Sequence, residues 1–342
     1  MVFNDLFSFE VIRDYLKARN IEPFLGETLF PEVKVQDMDI AYIKGANNLP
    51  VIASVHSLDT ETETAARDDV EMVKARLALI KRKIRMSEEL IIKLKSPRNS
   101  AELEHAKQMF FNDAEQMYMA VKTRIEKMRM QVLTNGVIDR TNTNAQVVSV
   151  SYGFPPEHLN SLAGSSVWSD PSSDPLNDII TWSERLSENS GVVATRAITS
   201  SKVMYTLLSH PKLKQNIVGS SGAFLTKNKL NEFMQSNGLP VIVTYDKKFR
   251  REDKSGGYQT ERFFPEGRFV MFGDGILGET VYGLTPEEIE LQDKGDITEN
   301  NNVIVQVYNT QDPVSTWTKA VAMALPTFPA AGEVISSAVL GA

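Results

Sequence analysis

Residues 273–278 read Gly-Asp-Gly-Ile-Leu-Gly. In the G-x-G-x-x-G spacing, glycines let a pyrophosphate approach the amino terminus of a helix. An apolar run, Arg-Phe-Val-Met-Phe at 268–272, precedes it, as such a loop requires. The residues after the last glycine do not serve phosphate. Residues 279–288, Glu-Thr-Val-Tyr-Gly-Leu-Thr-Pro-Glu-Glu, hold β-branched and aromatic side chains, then Gly283 and Pro286, and make no helix of useful length. The stretch reads as strand, turn, strand. A nucleotide-dependent enzyme using Gly273 to Gly278 is the competing reading from the enzyme class.

Other chemistry is harder to assemble. His56, His105, His158 and His210 are scattered, with no pair at ligand spacing. Cysteine is absent, which removes disulfides, thiolate metal sites and thiol nucleophiles and fits a reducing compartment. No two carboxylates share an apolar frame that would divide them into acid and base. No nucleophile elbow or Walker loop occurs. The expectation is a protein that is not an enzyme, with no catalytic, cofactor-binding or metal-ligating residue and no cofactor.

Residues 74–86, KARLALIKRKIRM, carry a dense set of cations that could meet nucleic acid. They lack interleaved aromatics. The whole chain is acidic, with 37 Lys and Arg against 44 Asp and Glu and a net charge of −7, which opposes a general electrostatic grip on nucleic acid. The acidic, Thr-rich segment 57–71 of a neighbouring copy explains these cations as well.

The elements around these residues follow from periodicity. Residues 3–19 place Phe3, Leu6, Phe7, Val11, Tyr15 and Leu16 on one helical face, which must dock on the chain's own fold or on a partner. A two-stranded excursion is expected, up through 38–56 and back through 70–86, with 57–71 at its tip. A helical stripe over Val70, Val73, Leu77, Ile80 and Ile84 is the alternative. From 99 to 134, Leu103, Ala106, Phe110, Ala114, Met117, Val121, Ile125, Met128 and Val132 step by three or four, the mark of one long helix. Asn99 with Glu102 forms a capping-box pattern and Asn135-Gly136 a stop. Its opposite face, Lys122 included, is expected to meet solvent. An extended hairpin is expected over 137–152, and the Ser- and Pro-rich stretch 165–178 reads as a domain boundary. Beyond it the pattern is mixed: helices near 175–188, 200–216 and 226–236, strands at 239–246, 260–264, 268–272 and 303–308, and a charged turn at 247–257.

The amino-terminal residues lack the basic flank and apolar run of a signal peptide. The apolar tail, AVAMALPTFPAAGEVISSAVLGA at 320–342, is broken by Pro326 and Pro329, short of the ~20 residues a membrane span needs. No membrane partner is expected, so the tail must enter a core or a neighbouring subunit.

The order of these parts resembles the major capsid proteins of tailed bacteriophages, and most the lambda-type capsid protein E family. The resemblance spans nearly the whole chain. It is most specific in LPVIVTYDKKFRRE (239–252), ERFFPEGRFVMFGDGILGETVYGLTPEE (261–288), Asp312-Pro313, and the Ala, Met and Leu strand that contains Pro326. It implies an α+β chain with the HK97-type capsid fold. Residues 1–30 would be an amino-terminal arm, 31–86 an extended β-hairpin loop, and 87–154 a peripheral domain with spine helix 99–134. Residues 155–314 would be a mixed α/β axial domain, and 315–342 a strand returning to the peripheral domain beneath the spine helix. It further implies self-assembly into pentamers and hexamers of an icosahedral head shell around double-stranded DNA held without sequence-specific contacts. Scaffolding and portal proteins, and in some relatives a decoration protein, would be partners. The place would be the virion, after assembly in the host bacterial cytoplasm. An encapsulin-type compartment shell is the alternative that shares the fold.

Overall fold

The longest element, the helix Ser100–Asn135, follows the apolar repeat to within one residue at each end. Asn99 Oδ1 accepts from the Glu102 amide at 2.8 Å, and the Glu102 carboxylate accepts from the Arg98 amide at 2.8 Å. One orphan donor of the first turn, and the amide just before the cap, are thereby satisfied. Gly136, at φ 64°, ends the helix in the left-handed conformation that glycine adopts without cost. Every stripe residue from Ala106 to Val132 is buried, and Leu103 is partly so. The opposite face departs from expectation: Lys122 is 5% exposed, and Glu126 and Arg129 are 0% exposed.

This computed structural model describes residues 9–19, 22–43, 72–141, 147–219, 224–253, 256–292, 298–300, 302–311 and 314–341. The chain divides into two compact units: residues 1–40, 74–129 and 279–327 form one, and 41–73, 130–278 and 328–342 the other.

The first unit is built on a six-stranded sheet. Its longest strand, Val314–Pro326, takes in the start of the apolar tail. One edge pairs antiparallel with Val303–Gln311 and, further along, with Thr280–Gly283; the other pairs antiparallel with Ala78–Arg85. Ala320 to Leu325 are all buried, the continuous pattern of a strand covered on both faces. Pro326 stands at the strand's end, where a missing amide costs no ladder bond. Glu32–Lys34 adds a parallel strand beside Thr280–Gly283.

Ala78–Arg85 is thus a strand, not a helix, but it belongs to this sheet rather than to a free hairpin. Eight residues from Ala78 to Arg85 face Ala324 to Trp317. Of the expected excursion, the described residues show Asp39–Ile43 paired with Met72–Arg76. The acidic segment 57–71 lies outside the described residues, as do His56, Phe3, Leu6, Phe7 and Asp312-Pro313. The amino-terminal helix spans Phe9–Ala18 and docks on the chain's own fold. Ile12 and Leu16 are buried, Tyr15 stacks on Phe111 at 4.6 Å, and Arg19 pairs with Glu115 at 2.8 Å.

The second unit centres on a five-stranded sheet ordered Leu159–Ser161, Val334–Ala338, Arg268–Phe272, Arg196–Thr199, Val241–Thr244. The outer pairings are parallel and the inner two antiparallel. Val334–Ala338, the last strand of the tail, therefore sits in this sheet and not with Val314–Pro326. The helix Pro175–Ser190 is set locally: the Asp174 carboxylate accepts from the Asn177 amide, Pro175 opens the first turn, and Gly191 at φ 73° closes the last. The connector 165–178 is not a boundary. Trp168 within it is fully buried, stacks on Trp182 at 5.8 Å, meets Phe269 edge-on at 5.1 Å, and donates its indole N–H to Asp178 at 2.9 Å. Two large apolar rings outweigh the polar residues around them.

The expected helix 200–216 is two, Ser201–Ser209 and Pro211–Val218, because Pro211 forbids a helical His210. Lys227–Ser236 matches the third helix. The charged turn 247–257 is largely a hairpin, with Lys248–Glu252 against Tyr258–Arg262. A second hairpin, Val137–Thr141 with Val147–Ser151, is as expected.

Candidate functional site

Gly273–Gly278 joins the strand Arg268–Phe272 to the strand Thr280–Gly283, with no helix between them. The carbonyl of Gly273 accepts from Arg196 Nε and Nη2 at 3.1 and 2.9 Å, and that of Gly275 accepts from Nη2 at 2.5 Å. Asp274 accepts from the Thr195 hydroxyl at 2.7 Å. A turn pinned through its carbonyls presents acceptors where a phosphate needs donors. The next helix, Pro286–Gln292, starts only after the second strand.

Among the described residues, His105, His158 and His210 do not converge. His105 is exposed. His158 is buried near Asn189, with Nε2 3.1 Å from its amide nitrogen, and burial pulls its pKa down. His210 is buried against the Ser173 hydroxyl and the Asp170 carbonyl, both 3.2 Å from Nε2.

The densest polar constellation was not foreseen. It lies within the first unit, where the long helix meets the helix Leu25–Leu29 and the strand Glu32–Lys34. Lys122, Glu126 and Arg129 stand at i, i+4 and i+7 and so share one helical face. Lys122 Nζ lies 2.5 Å from Glu32 Oε1 and 3.4 Å from Glu27. Arg129 donates through Nη2 to the same Glu32 oxygen at 3.1 Å and through Nε to the Thr280 hydroxyl at 2.8 Å. Its Nη1 stands 3.6 Å from Glu126 and 3.7 Å from Glu27, within ion-pair reach but beyond a hydrogen bond. Glu126 accepts from the Gly26 amide at 3.1 Å. The Tyr282 hydroxyl donates to Glu32 at 3.0 Å, and the Thr280 hydroxyl donates to the Phe30 carbonyl at 3.0 Å.

Burial alone pushes the Glu32 carboxyl up. Lys122, Arg129 and the Tyr282 hydroxyl together outweigh that and hold it below the usual carboxylate range. Burial, reinforced by Glu32, drives the Tyr282 phenol up. Gly26 is required sterically: a Cβ there would sit 2.8 Å from Arg129 Cδ and also against the Glu126 carboxylate. The cluster clamps the segment 26–32 onto the long helix. A sequence signal exists, since the i, i+4, i+7 charges flank the apolar stripe, but their partners are ~90–100 residues away and periodicity does not reach that far.

Lys81, Lys83 and Arg85, among the cations of 74–86, find partners within their own unit. Lys81 pairs with Glu287 at 2.6 Å, and Lys319 shares that carboxylate at 3.1 Å. Burial raises the Glu287 carboxyl, and the two lysines more than reverse it. Lys83 lies 4.3 Å over the Trp317 ring, and Arg85 pairs with Glu88 at 3.2 Å. Cross-strand register to Val314–Pro326 places them there.

The long helix, the six-stranded sheet and the separate α/β unit define a structural protein of the HK97-type capsid fold. Two solved structures share that fold. One is a candidate prophage capsid protein from E. coli CFT073, at TM-score 0.61 and 15% identity, covering 97% of this chain and 99% of the other. The other is a phage-related protein from Bordetella bronchiseptica RB50, at TM-score 0.57 and 13% identity, covering 97% of each. No curated protein matches the sequence. The chain belongs to the phage major capsid protein E family, whose model matches residues 11–339, and is a major capsid protein of a tailed phage. It builds a capsid shell from many copies and is a virion component. Among the described residues, no helix is long and apolar enough to cross a membrane.

Proposed function

We propose that copies of this chain form pentamers and hexamers that close an icosahedral head around double-stranded DNA, and that they act by geometry rather than catalysis. The family match carries this reading, because it spans both compact units and therefore the whole building block. In this reading the unit holding 130–278 is the axial domain, gathered around the fivefold and sixfold positions. The unit holding the long helix to Arg129 and the strand Val314–Pro326 is the peripheral domain. Residues 44–71 complete the extended loop, and the amino-terminal helix is the arm. A net charge of −7 suits a container that must not grip its packed genome. Assembly takes place in the host bacterial cytoplasm with scaffolding and portal proteins, and a decoration protein is the further partner. Electron microscopy of the expressed chain tests the reading: capsomers or shells are expected, and monodisperse monomers under all assembly conditions would overturn it. Thermal shift with NAD, ATP and GTP tests the absence of a nucleotide site at Gly273–Gly278. No saturable rise in Tm is expected.

A further inference from the structure

The helix Lys227–Ser236 of the second unit separates two unlike features. Just before it stands Phe224, 86% exposed, the most exposed large apolar side chain among the described residues. At its other end an open groove of about 370 Å³ is lined by Leu176, Ile180, Phe233 and Leu239, with Ser183, Glu184 and Asn237 on its polar side. Leu176, Phe233 and Leu239 also pack against the core that holds Trp168, Trp182 and Met234, so the apolar floor is anchored. Ten helical residues span about 15 Å, so Phe224 and the groove of one copy lie at opposite ends of a rigid element.

We propose that Phe224 of one copy seats in the Leu176–Ile180–Phe233–Leu239 groove of the next, as the anchor of the contact that closes a capsomer ring. The occupant is a second copy because the charges match as well as the shapes. Residues 211–231, which surround Phe224 in sequence, hold Lys212, Lys214, Lys227 and Lys229 and no acidic residue. Glu184 lines the groove, and Glu188 and Glu232 are exposed on the two helices that form it. A knob on one end and a hole on the other make a heterologous contact, which propagates head to tail and closes into a ring when the rotation fits. An aromatic side chain in an apolar pocket is the usual energetic centre of such a contact, and rim charges set its orientation. The inference rests on the ring-forming reading above.

The chain has no cysteine, so introduced thiols are the only ones present. The full-length Phe224→Cys/Ile180→Cys double variant, oxidised under assembly conditions, is expected to give a ladder of covalent multimers on a denaturing gel. Neither single variant can extend beyond one linked pair. Phe224→Ser is expected to keep the wild-type Tm while capsomer yield falls by about tenfold or more. Shells or capsomers of the double variant without a ladder would overturn this contact and leave the assembly reading standing. Wild-type capsomer yield from Phe224→Ser would do the same. Monomers throughout, including wild type, would overturn both.

Discussion

Lys122, Glu126 and Arg129 in the first unit and Trp168, Trp182 and Phe269 in the second are all buried. They stabilise by opposite means. The aromatic trio gains free energy from apolar area and ring geometry, with a single polar contact, Trp168 to Asp178. The ionic group takes Lys122, Glu126 and Arg129 out of water, withdraws Glu27 and Glu32 partly, and recovers that cost through directed contacts. An apolar core tolerates small adjustments of angle. A charge cluster does not, so it sets the register of segment 26–32 on the long helix. One unit is specified by volume, the other by direction.

Adding a charge to the directional site should do the most damage. Lys122→Asp puts a fourth carboxylate beside Glu27, Glu32 and Glu126 and leaves only Arg129 to oppose them. No soluble folded protein is expected, although the helical phase alone would make the change harmless. Recovery of a folded variant by circular dichroism would break the comparison at its root. Val121→Asp, on the buried stripe, should fail as well.

Next come the truncations. Trp168→Ala is expected to cost about 3–5 kcal/mol from lost packing. Arg129→Met should cost a similar ~3–5 kcal/mol by leaving buried carboxylates without their main cation. Urea unfolding measures both, and a second apolar change sharpens the contrast. Arg129→Met with Glu126→Leu should recover stability relative to Arg129→Met alone, whereas no such rescue exists for Trp168→Ala. Gly26→Ala should cost about 1–3 kcal/mol, because its Cβ meets Arg129 and Glu126.

A smaller effect separates the two units by pH. The Glu32 carboxyl is held below its unfolded value, so its contribution is present above the ordinary carboxylate range and is lost as pH falls through the folded value. Asp178, beside Trp168, is raised by burial despite the indole hydrogen bond, so it favours folding more as pH falls. Glu32→Gln should flatten the acid loss of stability in a Tm-against-pH series, and Asp178→Asn should steepen it. Equal slopes in both variants would contradict the assignment. The smallest change is expected at the surface. Lys81→Ala removes a half-exposed pair with Glu287, which retains Lys319, and should cost ~1 kcal/mol or less, with the difference shrinking further in high salt.

Much of this architecture was legible in local pattern. The long helix, its Asn99 cap and Gly136 stop, the hairpin after it and the strand–turn–strand at 268–283 all depend on residues within a few positions of one another, and the sequence carries them directly, whereas at 78–85 periodicity allowed strand or helix and the sheet decided for strand. The order of those elements was enough to resemble the capsid family. The misreadings share one cause. Trp168 looked like part of a polar linker because its stacking partners are 14 and 101 positions away. The cations of 78–85 pointed to nucleic acid or to the acidic 57–71 segment of a neighbouring copy, because Glu287 and Trp317 reach Lys81 and Lys83 only through the sheet.

Local pattern was enough for the long helix and its two ends, for most of the other helices and strands, and for the burial of the tail, since these follow from periodicity, capping and apolar content. Tertiary structure alone decided that the tail divides, Val314–Pro326 into one sheet and Val334–Ala338 into another. It also decided that Lys122, Glu126 and Arg129 face inward. The physical reason is that a buried charge is set by the partner it meets, and those partners, Glu27, Glu32 and Thr280, are brought to the long helix by strand pairing across some 250 residues of chain.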